Sequence, residues 1–479
     1  MTAPHASFRR RAGAAVRDPH LQAAIFSATG RLLAAREQAM GELTCADALR
    51  DHARRIRAHT LATLDVYLER FTEAATASGV KVHWAPTAAD AVRYVVELAA
   101  AKHARLVVKS KSMISEEIEV NRALEAAGVR TVETDLGEFI IQLAGDRPSH
   151  IIAPAVHQTA GDVAALFREK LGASDADVAT IPEMTALARR TLRQDFLRAD
   201  IGMSGANFAV AETGTICVVT NEGNGRLSTS APRVHVALVG IERIVPTLSD
   251  LGVFLQLLAR SATGQSLSVY TSLITGPRRR AGSTGEAGRS NEPDGPDEVH
   301  FVLVDNGRSR ILAGPCAEIL YCIRCGACLN TCPVFRSIGG HAYGGVYSGP
   351  IGSVFEPAQQ ATIPSELPHA SSLCGACRDV CPVRIDIPSL LLTLRSQPAM
   401  VRSAPAWLRA GVGAFAFAAA RPGVYRWTAR LARWLTRRMA RNGWVSRLPG
   451  PLAAWTDYRE FPAFARRSFT ESWKARRES

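Results

Sequence analysis

The chain has 479 residues, 47% hydrophobic and 21% charged, which excludes an intrinsically disordered protein and leaves room for two or three domains, each with its own core. Its net charge of +13 is not spread over the chain: 17 Lys and Arg against 4 Asp and Glu lie from Arg395 onward, and the first 394 residues are neutral. No apolar stretch of signal-peptide length opens the sequence, and the most apolar run, 411–420, is half of the ~20 residues a membrane helix needs. A cytoplasmic protein with reduced thiols is therefore expected.

Residues 1–55 read as a polar, helix-prone extension. A long amphipathic helix is predicted over 56–78, with Leu61, Leu64, Tyr67, Leu68 and Phe71 on one face. After Gly79 the pattern alternates. A strand over 82–84 precedes a helix over 88–101, and a β-branched strand over 105–108 precedes a helix over 116–127 that Gly128 ends. Strands over 129–132 and 151–153 and a helix over 157–170 continue it. Such alternation predicts an α/β domain with a largely parallel sheet. Residues 207–240 are strand-rich (208–211, 215–220 and 234–239), 276–298 has the composition of a surface loop, and a last strand over 301–304 ends in the turn Asp305-Asn306-Gly307. The organisation expected is an N-terminal extension (1–55), an α/β domain (56–311), a cysteine-bearing segment (312–394) that is mainly helical, and a helical basic tail (395–479).

Seven of the ten cysteines fall in two runs that both end in Cys-Pro: Cys322-x2-Cys325-x2-Cys328-x3-Cys332-Pro333 and Cys374-x2-Cys377-x3-Cys381-Pro382. Thiolates at two-residue intervals wrap a short loop around an iron–sulfur cubane, and the Cys before Pro turns toward the other cluster. Structural zinc wants two pairs of ligands, and disulfides want a small secreted frame. Cross-ligation gives one [4Fe–4S] cluster to Cys322, Cys325, Cys328 and Cys381. Cys332, Cys374 and Cys377 then offer the second cluster three thiolates, because Ser371 stands where a first Cys belongs. That cluster is [3Fe–4S], or has a borrowed ligand, or leaves one iron open. Cys316, six residues before Cys322, is either the lender or a small buried hydrophobe, and Ser371 and His369 are further candidates.

Three polar loops in the α/β part are candidate ligand sites. Lys109-Ser110-Lys111-Ser112 follows a strand and opens onto Glu116 and Glu117, where ligands of open α/β sheets bind. An acidic loop spans 133–138. Glu212-Thr213-Gly214-Thr215 and Asn221-Glu222-Gly223-Asn224-Gly225 flank one strand. Each is equally an ordinary turn, and neither GxGxxG nor a P-loop occurs. His157 and His235, like Cys45 and Cys217, read as packing residues. The tail carries six of the seven Trp among its Arg residues; it suits docking to an acidic partner subunit, peripheral contact with an anionic membrane, or a solvated helical cap. No nucleic-acid partner is expected, since no recognised motif accompanies the charge.

The strings over 109–117, 133–138, 148–154, 205–215 and 221–225 resemble the lactate-utilisation (LUD) domain, and 339–344 and 349–352 between the cysteine runs resemble the iron–sulfur proteins of the same family. The resemblance covers about residues 60–395, and the tail in position and character. It implies a NagB/CoA-transferase-like α/β fold, and a complex with a cysteine-rich-domain subunit and a small LUD protein. The activity it implies is oxidation of lactate, or a related 2-hydroxy acid, to pyruvate. The chain itself then reads as an electron-transfer subunit rather than a stand-alone enzyme. The alternative is that the LUD domain is an enzyme or sensor for a small carboxylate or thioester, with secondary clusters.

Overall fold

The computed structural model describes residues 7–278, 295–360, 366–398, 406–457 and 459–478. Most of the loop expected over 276–298 lies outside them. The chain forms two compact units, Met1–Gln397 and Pro398–Ser479.

The first unit is built on ten strands: β1 (Lys81–Ala85), β2 (Leu106–Lys109), β3 (Arg130–Glu133), β4 (Ile201–Gly205), β5 (Phe208–Val210), β6 (Thr215–Thr220), β7 (Val234–Gly240), β8 (Ile244–Val245), β9 (Tyr270–Ile274) and β10 (Glu298–Val304). Six form an all-parallel sheet in the order β1-β10-β7-β4-β2-β3. Every residue of β7 is buried, as expected for an apolar run covered on both faces. On one face Val107, Met203, Val236 and Val302 meet the helices Ala88–Ala101 and Val120–Ala126 through Val95, Ala99, Val120 and Leu124. On the other, Val108 and Val132 meet Phe139, Phe167 and Phe196, while Val239 and Phe301 join the core that also holds the cysteine segment. The remaining strands make a second sheet, β8-β5-β6-β9, in which β6 runs antiparallel to both neighbours.

Local differences from the expected elements have local causes. The helix expected over 56–78 is two, α3 (Ala46–Ala62) and α4 (Leu64–Ala77), because Thr63 leaves helical geometry at φ −129° and ψ 41°. Its hydroxyl donates to the His59 carbonyl, the back-bonding that bends helices. The helix expected over 116–127 breaks at Glu119, which is left-handed at φ 53°. Residues 151–153 are not a strand: the amides of Ile152 and Ala153 donate to His150 Nδ1 and leave no ladder to form. The helix expected over 157–170 spans Ala160–Leu171, opened by a Thr159/Asp162 capping box.

The N-terminal extension forms α1 (Phe8–Ala15), α2 (Pro19–Gly41) and the start of α3. These helices join the cysteine segment through arginines that donate to backbone carbonyls: Arg11 to Ala342, Arg36 to Val380, Arg50 to Cys381, and Arg54 to Arg384.

The second unit has two long helices, Ala406–Ala419 and Pro422–Met439, a two-strand ribbon of Trp444–Val445 with Phe461–Pro462, and a last helix, Phe469–Glu478. Its aromatic side chains are largely exposed, among them Trp407, Phe415, Trp427 and Trp434. Among the described residues no helix is long and apolar enough to cross a membrane.

Candidate iron–sulfur centre and adjoining cleft

The seven thiols of the two runs sort into two groups. Cys325 is perturbed by Cys322 and Cys381, and Cys328 by Cys322, Cys325 and Cys381. Cys377 feels Cys332 and Cys374, its thiol being pushed up to about 12 by burial first and these neighbours second. Cys328 also feels Cys377, so the groups adjoin. Cys322, Cys325, Cys328 and Cys381 line one small cavity whose other walls are mostly apolar, with Ile151, Ile323, Ile351, Val383, Ile385 and Ile387, and include Arg324. Four soft ligands around a largely apolar space fit a cubane, where low dielectric and restricted solvent set the potential.

The loop is held by its surroundings. Arg324, left-handed at φ 60°, donates its amide to Cys322 Sγ at 3.3 Å. Gly326 is required: at φ 74° an added Cβ would lie 3.1 Å from the His150 ring of the α/β domain. Arg57 is fully buried and donates to the carbonyls of Ile244, Leu320 and Glu242, joining α3, the second sheet and the cysteine segment. Arg308 is equally buried and pairs with Glu117 and Glu242, each at 2.7 Å. Replacing one partner of such a pair costs about 3–5 kcal/mol, because the other charge is left uncompensated.

Around the second group the fittings are looser. Cys374 is exposed, while Cys332 and Cys377 are buried. Ser371 occupies the place equivalent to Cys322, its Oγ accepting the Leu373 amide at 3.1 Å. The Tyr343 hydroxyl is buried without a partner, and Cys332 and Cys328 are the thiols acting on it. Cys316 stands apart: burial alone pushes its thiol up to about 11, with no other thiol contributing. His369 is exposed, and the charges around it are Arg395, Arg9 and Glu366.

The polar loops of the α/β domain divide. A cleft of about 1010 Å³ opens beyond the carboxyl ends of β2 and β4, with α2 along one side. Ser112, Asn221 and Glu222 line it; Lys109, Glu212 and Thr213 do not. Lys109 is sealed in an ion-pair knot with Glu116 and Glu133, each at 2.6 Å. Burial would lower its pKa, but the two carboxylates raise it above the ordinary lysine value. Glu212 caps the helix Leu248–Thr263 by accepting the Leu248 amide at 3.0 Å, and Thr213 sits beside it in the β5–β6 turn. Burial and the neighbouring Asp135 push the Glu222 carboxyl up to about 7. Lys111, from the first of the candidate loops, lines the cleft as well, and the cleft residues that the sequence reading passed over are Asn207, Arg243 and Arg324. Arg324 and Ile151 also line the cysteine cavity, so cleft and cavity share a wall.

Family models match over three stretches: the LUD domain over 68–304, a 4Fe-4S dicluster domain over 318–385, and the C-terminal region of lactate utilisation protein B over 404–478. Lactate utilization protein B from Bacillus pumilus is 44% identical over 475 residues, covering 98% of each chain. The protein of that name from Shouchella clausii is 42% identical over 99% of this chain and 98% of its own. An Escherichia coli chain described as an uncharacterized electron transport protein, YkgF, is 43% identical over 97% of this chain and 96% of its own. A solved structure of a DUF162 family protein from Deinococcus radiodurans is 12% identical, covers 50% of this chain and 98% of its own, and has a TM-score of 0.26, too low to support a comparison of folds. With a LUD domain, an iron–sulfur segment and near full-length identity above 40%, the chain belongs to the lactate utilization protein B family.

Proposed function

We propose that this chain is the electron-transfer subunit of a multi-subunit system that oxidises L-lactate, or a related 2-hydroxy acid, to pyruvate. The observation that carries the reading is the sorting of seven thiols into a group of four around a largely apolar cavity and an adjoining group of three. Oxidation of a hydroxy acid releases two electrons and two protons, and iron–sulfur clusters, when bound, supply one-electron chemistry. Cys322, Cys325, Cys328 and Cys381 would hold a [4Fe–4S] relay. Cys332, Cys374 and Cys377 would hold the second cluster, of the [3Fe–4S] type or with Ser371 at its fourth position. The chain's own residues keep water from the first site and bring the guanidiniums of Arg57, Arg243 and Arg324 to bear on Cys322. Positive charge there favours the reduced state.

The relatives' names support the substrate, and the system they imply supports the partners: a cysteine-rich-domain subunit and a small LUD protein. The exposed Trp and Arg of the tail suit docking to an acidic face of such a partner in the cytoplasm. A NagB/CoA-transferase-like fold for the LUD domain, and the division at 55, 311 and 394, belong to the same proposal. Electron paramagnetic resonance (EPR) during turnover of the assembled system tests it. Both clusters should become reduced on adding L-lactate, and only when the partners are present. Clusters that stay oxidised through turnover, or a single chain oxidising lactate as fast as the complex, would overturn it.

A further inference from the structure

We infer that the inner end of the cleft, against the wall it shares with the first cluster site, binds the carboxylate of a small organic acid between the guanidiniums of Arg243 and Arg324. Both arginines line the cleft, and each is only 6% exposed. Neither guanidinium donates a hydrogen bond to protein among the described residues, and Arg243 Nε, Arg324 Nε and Arg324 Nη1 are buried without acceptors. The nearest carboxylate is Glu242, 3.6 Å from Arg243 and 3.7 Å from Arg324, both through Oε1. Its other oxygen is held by Arg308 at 2.7 Å. One oxygen beyond hydrogen-bond distance is therefore shared by two buried cations. Buried guanidiniums without acceptors are costly, and an anion supplying two oxygens removes that cost. A cluster beside them would offset the charge, and its sulfurs would compete with the acid for these donors.

The surroundings favour a carboxylate over a phosphate. Two planar oxygens match the guanidinium fork. The cleft that the pair lines also has apolar walls, among them Ile151, Val218 and Leu238, and Ser112 and Asn207 line it as partners for a hydroxyl or carbonyl. Asp135 and Glu222 also line the cleft, and a dianion would meet repulsion from carboxylate there. The Arg324 guanidinium carbon lies over the Tyr347 and Phe355 rings, 4.2 and 4.4 Å from their centroids, and these contacts restrict its movement.

This site goes beyond the electron-transfer reading and rests on it only for the cluster next door. Equilibrium dialysis of the anaerobic, cluster-loaded full chain with labelled L-lactate, pyruvate and inorganic phosphate tests it. One site per chain is expected for L-lactate or pyruvate, weakened about tenfold or more in R243Q, partly restored in R243K, and not competed by equimolar phosphate. Unchanged cluster absorbance would show that the variants fold. The inference is overturned if the wild type binds neither acid, if R243Q binds as the wild type does, or if phosphate binds as tightly. It is also overturned if R243Q only shifts the cluster potential, since the guanidiniums would then serve the cluster alone. Absent acid binding with clusters that still cycle in the complex sinks this inference and leaves the electron-transfer reading. Acid binding with redox-silent clusters does the reverse.

Discussion

The two cysteine loops share one backbone plan and differ in how they are finished. Arg324 and Leu373 are left-handed at φ 60° and 57°, and Gly326 and Gly375 follow at 74° and 86°. In each loop the first side chain accepts the amide two residues on, from Sγ of Cys322 and from Oγ of Ser371. The first loop is then roofed by the α/β domain and ringed by buried arginines, whereas Cys374 in the second is exposed. The fold thus keeps the geometry of a ligand position even where it has given up the thiolate. It spends its buried charge on one site only.

The comparison breaks hardest at Cys381, which belongs by sequence to the second run and by surroundings to the first group. Cys381→Ser should remove the first cluster and destabilise the whole first unit, because metal binding is folding energy and a loop that loses its cluster holds the 381 carbonyl, on which Arg50 anchors α3, less firmly. Cys374→Ser should lower only the second cluster's iron and leave thermal unfolding nearly unchanged. Iron content and melting curves of the two variants, side by side, check this. Next in size, Arg308→Leu, which leaves the buried Glu117 and Glu242 uncompensated, should cost about 3–5 kcal/mol in denaturant unfolding. Arg395→Leu, which removes hydrogen bonds to Pro368 and Ser371 carbonyls beside the second loop, should cost about 1–2 kcal/mol.

Smaller in energy but sharper in meaning is Ser371→Cys. A thiolate at a position already shaped like Cys322 should close the second cluster as [4Fe–4S] and abolish any [3Fe–4S] EPR signal of the oxidised protein. An unchanged spectrum would mean that the fourth position lies elsewhere. The smallest effect is expected from Cys316→Ala: about 1 kcal/mol of stability and no change in either cluster's spectrum, because no other thiol acts on it. Loss of either cluster in that variant would undo the division of the thiols drawn above.

The cysteine spacing was legible because cluster ligands gather in short loops, and strands such as β7 were legible because a doubly covered strand is a continuous apolar run. Strands β4 and β9 escaped the sequence reading; β4 holds Gly202, Ser204 and Gly205, and β9 alternates between exposed and half-buried residues. The cleft was half legible. Ser112, Asn221 and Glu222 sit on loops that the sequence marks, but Lys109 looks identical in sequence to a free ligand-binding lysine until Glu133 is seen beside it. Arg57, Arg243 and Arg324 carry no local signal at all. Their meaning comes from carbonyls, carboxylates and thiols distant in the chain, which no periodicity encodes.

The arginines of α2 and α3 have a consequence for how the molecule is made. Arg36 and its acceptor at Val380 are 344 residues apart, and Arg50 and the Cys381 carbonyl are 331 apart. On a ribosome adding 5–20 residues per second, the first helices emerge on the order of half a minute before the segment they clasp exists. Through that interval Ile25, Ala53 and Ile56, all buried in the finished protein, can meet only the earlier-made part of their surroundings, the helix Leu248–Thr263 and β8. The clasp of Arg36 and Arg50 on the cysteine segment is therefore the last part of this packing to close. A chain that fails to take up iron and sulfide should leave that clasp open to proteases while α2 and α3 still rest on the helix Leu248–Thr263.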